Sequence, residues 1–265
     1  MDDLQSVVER FESSAEHLIK TKALIYRNLL RESTHLDGGN FTEIHPDDLR
    51  RLFEEYDRCF FGTGIHRALR DTPLQFSLSK RMTSAAGRTI RSSRPGHPGG
   101  VRYEIRVSAF LLFQCFTRDD HRAIEASGIA CGDRLEALQI VMEHELIHLV
   151  EWILWSKTQC SKPRFQSIAS RFFAHRSHTH QLITPDEQAR VKFGVRPGDR
   201  VGFRFDNADY TGTVARITKR ATVLVRSERG VRFSDGKKYI KFYVPVQQLE
   251  VLRNVTAGLQ SEERS

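Results

Sequence analysis

A long apolar stretch near the middle of the chain constrains the fold most strongly. From Arg134 to Trp155 the sequence reads RLEALQIVMEHELIHLVEWILW, with apolar residues at helical spacing. This pattern predicts a long helix whose surface is mostly apolar, as expected of a helix inside a protein core. No apolar run in the chain approaches the length of a membrane span, so we expect no membrane partner.

The same helix contains the motif H-E-x-x-H, formed by His144, Glu145 and His148. Residues four apart lie on one helix face, so both imidazoles can reach one cation. Glu145 follows His144 by about 100° around the helix, close enough to accept a proton from an attacking water. The alternative without a metal is a buried, hydrogen-bonded pair of histidines. We favour a zinc site, because a polar cluster in so apolar a helix is costly unless it binds something.

Zinc hydrolase sites usually have three protein ligands, so the motif leaves one ligand to be found. The metzincin pattern needs Gly at position 151 and His at position 154, and this chain has Glu151 and Leu154 there. That class is excluded. Glu151 shares a helix face with His148 and is a candidate for a ligand or for a hydrogen bond to one. The other candidates follow the helix in the sequence: Cys160, His175, His178 and His180.

Helical and strand patterns alternate on either side of this helix. Further helices are predicted over Asp2–Arg31, Pro46–Cys59 and Pro163–Phe173. Strands are predicted over Leu74–Leu78, from Gly87 onwards and over Val101–Val107. Residues 1–45 are treated as an N-terminal helical segment.

The order of these motifs resembles the SprT-like domain, a metalloprotease domain also found in Spartan DNA–protein crosslink proteases. The resemblance runs from Leu52 to Leu182, about half of the chain. It begins at LFEEYDRCFFG and continues through LQFSLSKRMTSAAGRTIR and YEIRVSAFLL. RLEALQIVMEHELIH then follows at the expected distance, and THQL is similar to the end of a bacterial SprT domain.

The resemblance implies an α+β fold for residues 46–185. The expected core is a minimal metalloprotease core of helices and a three-stranded antiparallel sheet. It also implies zinc on His144 and His148, Glu145 as the general base, and zinc metalloendopeptidase activity on protein substrates.

The chain departs from this family at the third ligand. The family places a histidine in an H-G-x-x-F-like motif, and the stretch here reads CSKPRF, with Ser161 at the histidine position. Cys160 is one residue away, and a one-residue shift of the loop would bring its thiolate into the site. We therefore predict Cys160 as the third ligand, with His175 as an alternative. Loss of the third ligand would instead leave a weak or inactive protein that serves as a nucleic-acid- or protein-binding module.

The C-terminal part of the chain has a different texture. Short strand patterns alternate with Gly, Asn and Asp turns, as in a small barrel, and GTVARI resembles a KOW-type turn. We predict a basic SH3-like β-barrel at residues 190–255 and a disordered tail at residues 256–265. Residues 190–253 carry 15 Lys and Arg against 6 Asp and Glu, a net charge of +9, whereas the whole chain carries +8.

Nearly all the excess positive charge therefore belongs to this module, which predicts non-specific binding of nucleic acid. The cations expected to contact phosphates are Arg216, Lys219, Arg220, Lys237 and Lys238. The aromatic residues available for stacking are Phe203, Tyr210, Tyr239 and Tyr243. The alternative is a protein-interaction module whose strands alternate core aromatics with solvated cations.

The expected compartment is the cytoplasm, including association with DNA or the nucleoid. The acidic start lacks the basic-then-apolar order of a signal peptide. The four cysteines form no C-x-x-C pair, which excludes a zinc ribbon and fits reduced thiols.

Overall fold

The structure is a computed structural model that describes residues 3–93 and 100–252, so the predicted disordered tail lies outside the described residues. The protein is α+β and divides into two units, Met1–Ile183 and Thr184–Ser265, each with its own hydrophobic core. Within the described residues, no helix combines the length and the apolar character needed to cross a membrane.

The first unit begins with two helices, α1 (Leu4–Arg10) and α2 (Ala15–Glu32), where the sequence predicted one. The single predicted helix is wrong because Ser14 caps a new helix, its side chain accepting a hydrogen bond from the His17 N–H. Phe11 lies between the two helices, and its ring stacks on that of Phe172 with the ring centroids 3.9 Å apart. The apolar pattern therefore continues across the break although the helix does not.

Helix α3 (Pro46–Phe61) starts at the predicted residue and ends slightly later than predicted. His45 and Asp48 form a reciprocal capping box, and Pro46 occupies the first helical turn. Gly62 ends the helix in the left-handed region at φ 55°, and the short helix α4 (Gly64–Leu69) follows.

The three predicted strands form one sheet, with β1 (Leu74–Ser79), β2 (Gly87–Ser93) and β3 (Val101–Ser108) in the order β1-β3-β2. β2 pairs with β3 in the antiparallel sense, but β1 pairs with β3 in the parallel sense. The predicted antiparallel sheet is therefore wrong, and the sheet is mixed. Alternation of apolar residues specifies which side chains are buried, and it does not specify whether two neighbouring strands run parallel or antiparallel. β3 has the most buried side chains of the three and takes the centre.

The chain continues through α5 (Ala109–Gln114) to a second small sheet of β4 (Ile124–Ala126), β5 (Ile129–Cys131) and β6 (His180–Gln181). These strands are too short to show a sequence pattern and were not predicted. Helices α6 (Arg134–Trp155) and α7 (Pro163–Phe173) have the predicted bounds.

Helix α6 occupies the core of the first unit. Leu138, Ile147 and Val150 are all fully buried, and they lie on different sides of the helix. Each such side chain contributes about 1.5–3 kcal/mol relative to an exposed one. Buried residues of α1 and α2 belong to the same hydrophobic cluster, so the N-terminal helices are part of this core.

The second unit starts with α8 (Pro185–Phe193) and continues as a five-stranded antiparallel sheet. Its strands are β7 (Arg200–Phe205), β8 (Ala208–Ile217), β9 (Ala221–Arg232), β10 (Lys238–Val244) and β11 (Glu250–Val251). They are ordered β10-β9-β8-β7-β11. Val201, Phe203, Val214 and Val223 form the centre of its core.

Candidate metal centre

Three potential ligands converge at the middle of α6. The Nε2 atoms of His144 and His148 lie 3.1 Å apart. Cys160 belongs to the loop between α6 and α7, and one ligand atom from each of the three residues lies within 4.8 Å of the others. Tetrahedral zinc with Zn–N bonds of about 2.0–2.1 Å separates two nitrogens by about 3.3 Å. The donor set therefore fits a zinc ion in both chemistry and spacing.

Glu151 holds the loop that carries Cys160. Its buried carboxylate accepts hydrogen bonds from the Thr158 hydroxyl (2.7 Å), the Gln159 N–H (3.3 Å) and the Arg164 Nε–H (2.7 Å). α6 ends just before this loop, at Ser156 in the left-handed region. Glu151 is thus not one of the converging donors, and it reaches a candidate ligand only indirectly, through the Thr158 hydroxyl that contacts His148.

The Thr158 hydroxyl also orients His148. Nδ1 of His148 lies 2.5 Å from Thr158 Oγ1, and that hydroxyl donates its hydrogen to Glu151. The oxygen must therefore accept the hydrogen on Nδ1, which leaves a lone pair on Nε2. A fixed tautomer of this kind, held by a supporting carboxylate, is the usual arrangement behind metal-binding histidines.

Both imidazoles are in the neutral form that a metal requires. Burial, reinforced by the neighbouring histidines, lowers the pKa of His144 to about 2. Burial lowers the pKa of His148 to about 4. The ring of Phe165 covers both, with ring centroids 4.8 Å and 4.5 Å away. Burial also raises the pKa of the Cys160 thiol, so metal binding there must displace a proton.

Glu145 is buried on the side of α6 that faces β2. Thr89 Oγ1 lies 2.8 Å from a carboxylate oxygen of Glu145 and 2.8 Å from its backbone oxygen. A side chain at Gly87 would collide with the carboxylate, since a Cβ there would lie 2.6 Å from Oε1. Burial raises the pKa of Glu145 to about 7, although Thr89 opposes the shift. A carboxyl group with this pKa can accept and release a proton near neutral pH.

The predicted alternative ligands point elsewhere. His175 is buried with its Nε2 2.8 Å from Glu143 Oε2. Nδ1 of His178 lies 3.4 Å from Gln166, and Nε2 of His180 lies 3.2 Å from the backbone oxygen of Ser84. His175, His178 and His180 are therefore not part of the ligand cluster.

Glu143 forms a second buried cluster that the sequence did not predict. It accepts hydrogen bonds from the Tyr56 hydroxyl (2.6 Å) and the Lys22 ammonium (2.9 Å), in addition to its contact with His175. Burial opposes ionisation, but Lys22 and His175 outweigh it and hold the pKa of Glu143 below its ordinary value. The available signal was a further glutamate in the apolar helix, outside the H-E-x-x-H motif, and its partners are distant in sequence.

The predicted nucleic-acid-binding cations lie at three places in the second unit. Arg216 is exposed on β8. Lys219 and Arg220 lie in the β8–β9 turn. Lys237 lies in the turn before β10, and Lys238 is the first residue of β10.

Two of the four predicted stacking residues are not available for stacking. Phe203 is buried, and Tyr210 packs against it at 5.7 Å as part of the core of the second unit. Tyr243 is 61% exposed, and Tyr239 is half-buried.

Comparisons with protein-family models, with curated proteins and with solved structures found no match for this chain. What the site can do therefore follows from its own chemistry. Two neutral imidazoles and a thiol converge at one place, and the next residue after His144 supplies a buried carboxyl group with a pKa of about 7 that faces β2. This combination suits metal-assisted hydrolysis.

Proposed function

We propose that this chain is a zinc-dependent metallopeptidase of SprT-like type that acts on proteins associated with nucleic acid. The observation that carries the proposal is the convergence of His144, His148 and Cys160, with Glu145 beside them on the same helix. The succession of α3, β1, β2, β3, α6 and α7 supports the SprT-like assignment, because these elements follow the order of the family's motifs.

His144, His148 and Cys160 would hold the ion, which when bound supplies a Lewis acid that polarises a carbonyl and acidifies water. Glu145 accepts the proton of the attacking water and passes it to the leaving amine. In the metal-free protein the pKa of Glu145 is about 7, so both of its protonation states are accessible near neutral pH. Thr89 fixes the direction of the carboxylate, and Thr158 fixes the ring of His148.

The association with nucleic acid is supported by charge. The second unit carries most of the net positive charge of the chain, and its sheet is consistent with the small SH3-like barrel that we propose for it. We place the protein in the cytoplasm, where nucleic-acid-bound proteins are accessible as substrates.

Metal content tests the ligand set. We expect purified full-length protein to contain one equivalent of zinc, and both His144→Ala and Cys160→Ser to lose it. Ser161→Ala is the matched control, since Ser161 occupies the position of the family's histidine and is exposed. Zinc retained in Cys160→Ser, or lost in Ser161→Ala, would contradict the assignment of Cys160.

Hydrolysis tests the reaction. Glu145→Gln should keep its zinc while cleavage of a DNA-bound protein falls by about 10²–10⁴-fold, the usual contribution of a general base. Cleavage that survives this change would overturn the mechanism. Zinc binding without cleavage in the parent protein would favour the alternative of an inactive binding module.

A further inference from the structure

The sheet of the second unit has two faces with different compositions. Residues directly paired across neighbouring strands project to the same face. Val214, Val223 and Phe242 are paired in this way and face the core. The opposite face includes three neighbouring paired rows, called here the outer face: Arg200, Thr213, Leu224 and Lys241; Arg216, Thr222 and Tyr243; and Arg226 and Tyr239. Beyond these rows the same side of the sheet continues along β7 to Gly202, paired with Glu250, and to Arg204, paired with Asp209.

The outer face is basic and aromatic. Its three rows contain four cations, Arg200, Arg216, Arg226 and Lys241, and no carboxylate. All four cations are exposed. The strand pairing therefore gathers, on one surface, cations that are distant in sequence.

Strand β10 places aromatic rings on both sides of a cation. Tyr239, Lys241 and Tyr243 occupy alternate positions, so neighbouring members of this series are about 7 Å apart. Phe233 braces the near end, with its ring 5.3 Å from that of Tyr239 and 5.2 Å from the Lys241 ammonium. The Tyr239 hydroxyl also donates to Asp235. Tyr243, at the other end, is 61% exposed, and β10 is an edge strand of the sheet.

This combination fits a single strand better than a duplex. The exposed ring of Tyr243 and the half-buried ring of Tyr239 can stack on unpaired bases, while neighbouring cations contact the phosphates. A duplex hides its bases, so the tyrosines would have no partner. An acidic protein segment could pair with the cations but would not use the rings.

We propose that the outer face binds single-stranded nucleic acid, with Tyr243 and Tyr239 stacking on bases and Arg200, Arg216, Arg226 and Lys241 contacting phosphates. The inference rests on the proposed association with nucleic acid and not on the proposed hydrolysis.

Binding to labelled oligonucleotides tests the role of the rings. The full-length protein carrying Glu145→Gln is titrated against single-stranded DNA, single-stranded RNA and duplex DNA of one length, with fluorescence anisotropy as the readout. We expect both single strands to bind more tightly than the duplex, and the ratio of their affinities to identify the preferred sugar. Tyr243→Ala should weaken single-strand binding about tenfold or more, whereas Tyr243→Phe should retain it. Tighter duplex binding, or equal binding by the alanine and phenylalanine variants, would overturn the proposal.

A charge-matched pair of variants tests the position of the surface. Arg200→Gln with Lys241→Gln removes two charges from the outer face, and Lys219→Gln with Lys237→Gln removes two from the turns. We expect the first variant to lose more affinity and to reduce the salt dependence more. An equal or larger loss in the turn variant, or competition by polyglutamate as effective as that by single-stranded DNA, would remove the outer face as the site. Absence of all binding would also remove the proposed nucleic-acid association, while the zinc and cleavage assays would remain independent of it.

Discussion

The surroundings of Glu143 and Glu145 differ although both residues are buried and lie two positions apart on α6. This spacing points them to nearly opposite sides of the helix. Glu143 meets the Lys22 ammonium, His175 and the Tyr56 hydroxyl. Glu145 meets one hydroxyl, that of Thr89. The pKa of Glu143 is held below its ordinary value, whereas that of Glu145 rises to about 7.

The comparison shows that burial alone does not make a carboxylate reactive. Burial opposes ionisation at both positions, and the nearby cations decide the direction of the net shift. Glu143 is therefore an ionised part of the framework behind His144. Glu145 is a group whose proton can move at neutral pH.

Removing Glu143 should have the largest effect on stability. We expect Glu143→Leu to lower the free energy of unfolding by about 3–5 kcal/mol, because it leaves the Lys22 ammonium without its counter-charge and takes the Glu143 acceptor from His175 and Tyr56. Urea unfolding monitored by circular dichroism measures this change. Glu16→Gln is the control, since that glutamate forms an exposed ion pair with Lys20 and should change little. Similar losses in the two variants would contradict a structural role for Glu143.

Glu145→Gln should have the opposite effect in metal-free protein. The folded-state pKa of about 7 exceeds the ordinary value of 4.5, so the folded protein holds a proton that the unfolded chain releases between these values. Stability is therefore lost as the pH rises through this interval. We expect the variant to be more stable than the parent by about 2–3 kcal/mol at pH 8 and about equal to it near pH 4. Urea unfolding with a chelator at both pH values checks this, and a parent protein that gains stability between pH 5 and 7 relative to the variant would refute it.

A third buried carboxylate, Glu151, acts on the candidate metal centre through the Thr158 hydroxyl. We expect Thr158→Val to weaken zinc binding about 10–100-fold, because His148 loses the hydroxyl that fixes its ring. Thr158→Ser keeps the hydroxyl and should keep the affinity. Competition with a chromogenic chelator measures both variants, and equal affinities would show that the hydroxyl does not position His148.

The smallest effect is expected at Thr89. Thr89→Val removes the one hydroxyl that favours the ionised form of Glu145, so the pKa of Glu145 should rise further. The acidic limb of the pH profile of kcat/KM should move up by about one pH unit, with lower activity at pH 7 and recovery at higher pH. Thr89→Ser should keep the parent profile. An unshifted limb in the valine variant would assign that limb to another group.

The sequence predicted elements whose signals are local. α6 and α7 have the predicted bounds because Asp133 caps the first and Pro163 starts the second. The two histidines and Glu145 come together because a helix fixes their spacing. The direction of β1 was not predictable from alternation, because a strand with the same buried face can pair in either sense.

Features that depend on distant residues were harder to predict. The position of Cys160 depends on the hydrogen bonds that Glu151 makes to the loop, so the sequence left several ligands open. On β8, Val214 and Ile217 both face the core although strict alternation would separate them. An irregularity in the pairing between Val214 and Arg216 makes this possible, and it also places Arg216 on the outer face.

The cluster around Glu143 also constrains the order in which the chain can fold. Lys22 donates to Glu143 and to the backbone oxygen of Phe173, contacts that span 121 and 151 positions of the sequence. Closing such long loops is costly in entropy, so these contacts cannot form early from local structure. During synthesis, α6 leaves the ribosome before His175 does, and Glu143 then lacks one of its partners. The buried contacts of the helix that carries His144 and His148 are therefore completed only after nearly the whole first unit has been made.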